Sequence, residues 1–319
     1  MPKNTPASPA KKAAPKAPKA PKAPSASKAR PIMDTHIHLY QVTRPGGVPW
    51  PSKKQKLLYR DITPAAYKEL AAAHGIVGCG IVEASPLHQD NFWVLDQIKG
   101  DTFFPFLVAQ LEVGSPDFAR NLAELKKDKR VVGVRCFLWS PTLTLDETQL
   151  AHVREIEKAG LVMDLVSRNT LNPKALVSKL AAAAPKLRIV LDHLAGAKGA
   201  EPDAEWELNM RRLADLHPNI FVKFSSFFDM YSTAPAEDKT WKSPANLSAY
   251  QAHFDVLLSA FGPQRLIWGS NWPVSDLGGS FGEQIRLAEE FLAPHGTAVR
   301  DQVMYKNAKA TYRRGNAKK

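Results

Sequence analysis

The chain of 319 residues has no uninterrupted apolar run near the roughly twenty residues that a membrane-spanning helix needs. It has only two cysteines, Cys79 and Cys136, both inside apolar runs and outside any CxxC spacing. A disulfide framework and a thiolate metal knuckle are thereby excluded, and the pair reads as buried free thiols in a reducing compartment. The first thirty residues hold no acid and almost no side chain able to form a core. They also lack the apolar centre of a secretory signal, and their lysine and proline bias does not match an arginine-rich transit peptide, so cytoplasmic residence is the default expectation.

What that first stretch does hold is seven lysines, one arginine and the near repeat Pro-Lys-Ala-Pro-Lys-Ala. Taking those eight cations from the formal charge of +12 leaves +4 for everything else. The basicity therefore belongs to a disordered tail, residues 1–30, that offers weak contact to polyanions, and not to the body. The remaining composition, 44% hydrophobic and 23% charged over the whole chain, is ordinary for a protein with a large core. A body at residues 31–313 and a short basic end at 314–319 complete the expected organisation.

From Pro31 onward, short apolar runs alternate with amphipathic stretches, the pattern of repeated βα units around a parallel sheet. Eight strands are predicted, at Ile32–His38, Ile76–Glu83, Phe103–Ala109, Val131–Leu138, Val162–Val166, Arg188–Asp192, Ile220–Phe224 and Leu266–Gly269. Helices fall between them, among others at Pro64–Ala73, Pro116–Lys127, Glu147–Ala159, Pro173–Ala183, Glu205–Leu216 and Leu247–Phe261. The fold class is α/β, a (β/α)8 TIM-type barrel with a disordered basic N-terminal extension. In such a barrel the chemistry gathers at the C-terminal strand ends, which turns a list of polar residues into a positional test.

Three segments pass it. Asp34-Thr35-His36-Ile37-His38 closes the first strand, and a period of two puts both imidazoles on one face at the barrel mouth. Leu191-Asp192-His193-Leu194 puts His193 at the sixth strand end. Arg265-Leu266-Ile267-Trp268-Gly269-Ser270-Asn271-Trp272-Pro273 runs from the eighth strand into a turn whose glycine and proline hold the backbone at Asn271 in one shape. The other histidines, His74, His88, His152, His217, His253 and His295, fall in helices or surface turns and are assigned no role.

Together these segments resemble the amidohydrolase superfamily, in its branch of sugar lactonases and 2-pyrone-4,6-dicarboxylate lactonase. Val82-Glu83-Ala84-Ser85-Pro86 with Asp90-Asn91, Val132-Gly133-Val134-Arg135, Val222-Lys223-Phe224-Ser225 and Lys306-Asn307-Ala308 extend the resemblance from Pro31 to Tyr312. It implies that His36, His38 and His193 bind a metal or polarise a lactone carbonyl. It also implies an aspartate at position 271, as general base for the attacking water, where this chain has Asn271.

A carboxamide has no useful basicity, so Asn271 can only orient water or substrate. The base is then one of the three histidines or Asp276. No lysine or glutamate ends the fourth strand to bridge two ions, and no histidine ends the fifth, which argues against a binuclear site. Three imidazoles can hold one zinc with an open position, but the expectation is no obligatory metal, with one divalent ion as the alternative.

Arg135 points to a substrate carboxylate or hydroxyls, or else to a rim ion pair. Lys223 is an inward lysine that needs an acid or a ligand, unless it lies between helices. Trp50, Trp139 and Trp272 fall in mouth loops, where aromatic faces suit sugar rings; the proline-rich segment from Tyr40 to Lys56 has the makings of a lid. The sequence thus reads as a hydrolase that opens a small carboxylated or sugar-acid lactone by water attack on the ring carbonyl. His36, His38, His193 and Asn271 would be catalytic, and Arg135, Lys223, Trp50 and Trp272 would bind substrate. A metal-dependent decarboxylase and a catalytically weak binder on the same scaffold are the alternatives.

Overall fold

The computed structural model describes Met1 and residues 30–137, 143–166, 173–232 and 243–315. Most of the expected tail, most of the basic end and Trp139 lie outside the described residues. Eight strands form one sheet in chain order, every ladder parallel. They are β1 (Ile32–Ile37), β2 (Ile76–Val82), β3 (Phe106–Gln110), β4 (Val131–Phe137), β5 (Val162–Val166), β6 (Arg188–Leu191), β7 (Ile220–Ser225) and β8 (Leu266–Gly269). Around them lie α1 (Pro64–Ala72), α2 (His88–Gln97), α3 (Phe118–Leu125), α4 (Glu147–Lys158), α5 (Pro173–Ala183), α6 (Ala204–Leu216), α7 (Gln251–Phe261) and α8 (Phe281–Leu292). This is the expected (β/α)8 barrel, and no helix among the described residues is long and apolar enough to cross a membrane.

Helix starts follow from capping chemistry. The Thr63 hydroxyl accepts from Ala66 N with Pro64 just inside α1, Asp146 and Asp203 cap α4 and α6, and Ser280 with Glu283 forms a capping box on α8. The third strand begins three residues later than its apolar run suggests, because Pro105 has no N–H for the ladder. The barrel interior is filled by Met33, Val82, Phe106, Val108, Val132, Val162, Val190 and Ile267, closed at the bottom by Ala308 and Tyr312. Arg314 fastens the chain end there, donating to Val131 O and Lys126 O at 2.8 Å each.

No ladder joins β8 to β1; a different seam closes the barrel. Thr35 Oγ1 donates to Trp268 O at 2.7 Å, Ser270 N donates to Asp34 Oδ1 at 2.9 Å, and Ile37 and Trp272 form a lone parallel bridge. Gly269 permits this approach, since a Cβ there would sit 3.0 Å from His36 Cβ.

Candidate active site at the barrel mouth

Strand β1 does not keep one pleat phase. Its register against β2 shifts between Asp34 and Ile37, and the shift changes which side chains point inward. Met33 packs in the interior, whereas Asp34 accepts from Tyr67 of α1 at 2.7 Å, in the layer between barrel and helices. His36 and His38 then face inward together, their rings 5.0 Å apart and edge-on, with His193 4.6 Å from His36. The structure thus brings the three sequence-predicted histidines to one place.

His193 arrives there through a sharp turn. After β6 the backbone takes positive φ at His193, Leu194 and Ala195, 55°, 52° and 52°, which turns the imidazole over the mouth. Its Nδ1 lies 3.1 Å from Ser225 Oγ, and its Nε2 lies 3.5 Å from Arg135 Nη2. A guanidinium can only donate, so Nε2 is the bare nitrogen and Nδ1 carries the proton.

Beneath the histidines lies a buried chain of charges. Lys223, fully buried, reaches Asp164 Oδ2 at 2.6 Å, Asp192 Oδ1 at 2.9 Å and His36 Nδ1 at 3.2 Å. Asp164 also accepts from the Tyr312 hydroxyl at 3.0 Å, and Asp192 faces Arg135 Nε at 3.3 Å. Arg135 in turn lies 3.6 Å from Glu83 Oε1 and over the Phe137 ring. Removing such charges from water is costly, so each must be matched by its neighbours. Burial raises the Asp164 pKa to about 6 against the pull of Lys223. Burial likewise pushes Asp192 up, but Lys223, His36 and Arg135 outweigh it and hold its carboxylate well below the usual range.

This chain fixes the tautomer of His36. An ammonium between two carboxylates can only donate, so Nδ1 accepts; Asp192 Oδ1, at 3.7 Å, is too distant to take a proton from that nitrogen. The ring proton is therefore on Nε2, a buried atom without a hydrogen-bond partner among the described residues. Such a donor is available to an oxygen brought by a bound molecule.

On the opposite side the chemistry is neutral. Asn271 has φ 58°, a left-handed conformation that asparagine tolerates, and its N–H donates to His36 O at 2.8 Å. Asn271 Nδ2 donates to Ser226 Oγ at 2.7 Å, and the Ser226 hydroxyl donates to Asp229 Oδ2 at 2.6 Å. Because the serine's one proton goes to the carboxylate, its oxygen must accept from the amide, and Asn271 Oδ1 is turned toward His38. His38 therefore has acceptors at both nitrogens, Val82 O at 3.1 Å from Nδ1 and Asn271 Oδ1 at 3.3 Å from Nε2.

A neutral imidazole can donate to only one of them, and a second proton completes both bonds. Burial opposes that proton more strongly and lowers the His38 pKa to about 4. Burial also lowers His193 to about 3 and His36 well below its usual value, with Lys223 adding to the effect on His36. At neutral pH all three rings are neutral, and His38 is arranged to receive a proton.

The other expected residues divide. Trp50 stands edge-on to His38 at 5.7 Å, whereas Trp272 packs against Tyr67 at 5.6 Å in the outer layer. Arg135 and Lys223 spend their charge on protein carboxylates. Asp276 pairs with Arg60 at 2.9 Å, and no contact joins it to the histidines among the described residues. Asp164, Ser226 and Asp229 were not singled out by the sequence, and Asp192 and Glu83 stood there only inside quoted segments, with no role assigned. Asp192, Glu83 and Ser226, just beyond strand ends, carried that much signal, whereas Asp164 is the middle residue of β5 and Asp229 lies in the turn after β7.

As a metal site the donor set fits poorly. One ligand atom each from His36, Asp192 and His193 lies within 4.8 Å of the others. Yet His36 Nε2 bears a proton, Asp192 is already neutralised by two cations, and Arg135 lies against His193 Nε2. The carboxylate that position 271 would supply is an amide. A dication would have to displace or deprotonate groups that the barrel holds in place.

Comparison with known proteins supplies the wider context. The amidohydrolase family model matches residues 33–314. An L-fucono-1,5-lactonase of Burkholderia ambifaria is 30% identical over 256 residues, covering 79% of this chain and 83% of the relative. A solved amidohydrolase from Burkholderia multivorans with bound zinc has a TM-score of 0.75 at 25% identity, over 88% of this chain and 98% of that one. A putative 2-pyrone-4,6-dicarboxylic acid hydrolase from Pseudomonas putida shares the fold at TM-score 0.69 and 23% identity, over 88% and 97%.

Proposed function

The chain belongs to the amidohydrolase family, and from that premise we propose that it is a hydrolase opening a small sugar-acid lactone, with no obligatory metal. The observation that carries the proposal is the unpartnered N–H at His36 Nε2, beside a neutral His38 with acceptors at both nitrogens. The first stabilises a developing oxyanion, and the second takes a proton from water. The named activity of the Burkholderia ambifaria relative supports the same reaction class.

In this reading the lactone carbonyl oxygen accepts from His36 Nε2–H. Water held near Asn271 attacks the carbonyl carbon, and its proton passes to His38 Nε2. The resulting imidazolium donates to Val82 O and Asn271 Oδ1, then returns its proton to the departing ring oxygen as the tetrahedral intermediate collapses. The product is the open-chain hydroxy acid.

Between the sugar-acid and the carboxylated substrate, the charges favour the first. Arg135 faces Asp192 and Glu83, Arg44 binds Asp90 through both carboxylate oxygens, at 2.8 and 2.7 Å, and Lys223 is enclosed by its two acids. Among the described residues, each of these mouth cations is already answered by an anion. The test is a panel of neutral and carboxylated lactones incubated with the native protein, with ring opening followed by proton release. Turnover of neutral six-membered aldonolactones is expected; turnover restricted to carboxylated rings, or none at all, would refute the proposal.

A further inference from the structure

Next to the histidines, at the ends of β1 and β2, lies a narrow recess bounded by Tyr40, Arg44, Trp50, Glu83, Asp90 and Trp93. Trp50, one of its walls, stands between it and His38, edge-on to that ring at 5.7 Å between centroids. Trp50 and Trp93 give it flat apolar faces. Arg44 lies over the Trp93 ring at 5.2 Å, with its charge cancelled by Asp90.

Glu83 supplies the independent observation. Its side chain is only 7% exposed, and among the described residues its Oε1 has no hydrogen-bond partner; Arg135, at 3.6 Å, is beyond hydrogen-bond length. A buried carboxylate oxygen in that position calls for a donor from the ligand. An incoming carboxylate would add like charge beside it. A ring hydroxyl would satisfy it, while the hydrocarbon face of the same ring covers indole.

We infer that this recess is a hydroxyl-recognition subsite: Glu83 accepts from hydroxyls of a neutral sugar lactone whose carbon skeleton lies against Trp50 and Trp93. The inference rests on the lactone-opening reading and adds what selects the substrate. Asp90, held in place by Arg44, offers the remaining acceptor lone pairs on the recess wall.

The test compares Glu83→Gln and Trp93→Ala with native protein on two substrates, a six-membered aldonolactone and unsubstituted δ-valerolactone. A binding titration with a non-hydrolysable polyhydroxylated δ-lactam runs alongside. Losing a hydrogen bond to a charged acceptor is expected to lower kcat/KM on the aldonolactone about ten- to hundred-fold more than on δ-valerolactone. Trp93→Ala, at a partly exposed position, is expected to shift the same ratio in the same direction even if the glutamine variant folds poorly. Equal losses on both substrates would overturn the subsite and leave Glu83 as a partner of Arg135 alone. If native protein opens neither lactone, the lactone-opening reading fails by itself. The subsite then stands or falls on the lactam: binding weakened by Glu83→Gln supports it, and no binding by native protein overturns it.

Discussion

The two sides of the barrel mouth are built from different materials. Between β4 and β7, Arg135, Asp164, Asp192 and Lys223 form a chain of buried ions, each within 3.3 Å of an opposite charge. At the β8 seam, His38, Asn271 and Ser226 are neutral and linked by hydrogen bonds, and one carboxylate, Asp229, ends the line. The ionic side has its protons fixed by charge and sets the His36 tautomer. The neutral side has one acceptor too many for its protons, and that is where a proton can move.

The comparison breaks most severely at Lys223. Lys223→Met strands two carboxylates in the interior and is expected to cost about 3–5 kcal/mol of stability. Chemical denaturation should show it as a lower midpoint with an unchanged slope; a loss under 1 kcal/mol would mean that the acids are not held ionised by the lysine. Next in size is His36→Ala, which removes the proposed oxyanion donor and should lower kcat about 10²- to 10³-fold with little change in KM.

A smaller effect follows from pH. The His38 pKa of about 4 in the folded state lies below the ordinary 6.5, so between those values the unfolded chain binds more protons. Stability contributed by His38 is therefore complete above pH 6.5 and falls as pH drops toward 4, by about 3 kcal/mol in all. His36 and His193, lowered in the same sense, add to this slope, so thermal melts from pH 7 to 4 should show their sum and His38→Gln should reduce it by about a third. The smallest effect is expected at Asp229. Asp229→Asn keeps the shape but weakens the hold on the Ser226 hydroxyl, and activity should fall about ten-fold; an unchanged rate would mean that Asn271 is oriented without it.

Much of this was legible in the sequence. Strands β5 and β8 begin and end where their apolar runs do, because turn residues bracket them closely. The three histidines and Asn271 could be found from strand ends, and Gly269 and Pro273 signalled a constrained backbone that the structure realises as φ 58°. Pairings were not legible. Asp164 and Lys223 are 59 residues apart, and nothing local marks either as the other's partner. The pleat shift within β1 was also hidden, since strict alternation from Asp34 would place that acid with the histidines. Asp276, plausible by proximity in sequence, is taken up by Arg60, a contact spanning 216 residues.

In the proposed mechanism His38 accepts the proton from water without help from a metal. The most direct test is kcat/KM on a six-membered aldonolactone at pH 7, measured for native protein and His38→Gln after both are stripped with chelator. The stripped native protein should keep its activity, and the variant should fall about 10²- to 10⁴-fold. A native protein that loses activity on stripping and regains it with zinc, or a variant within threefold of native, would contradict the account.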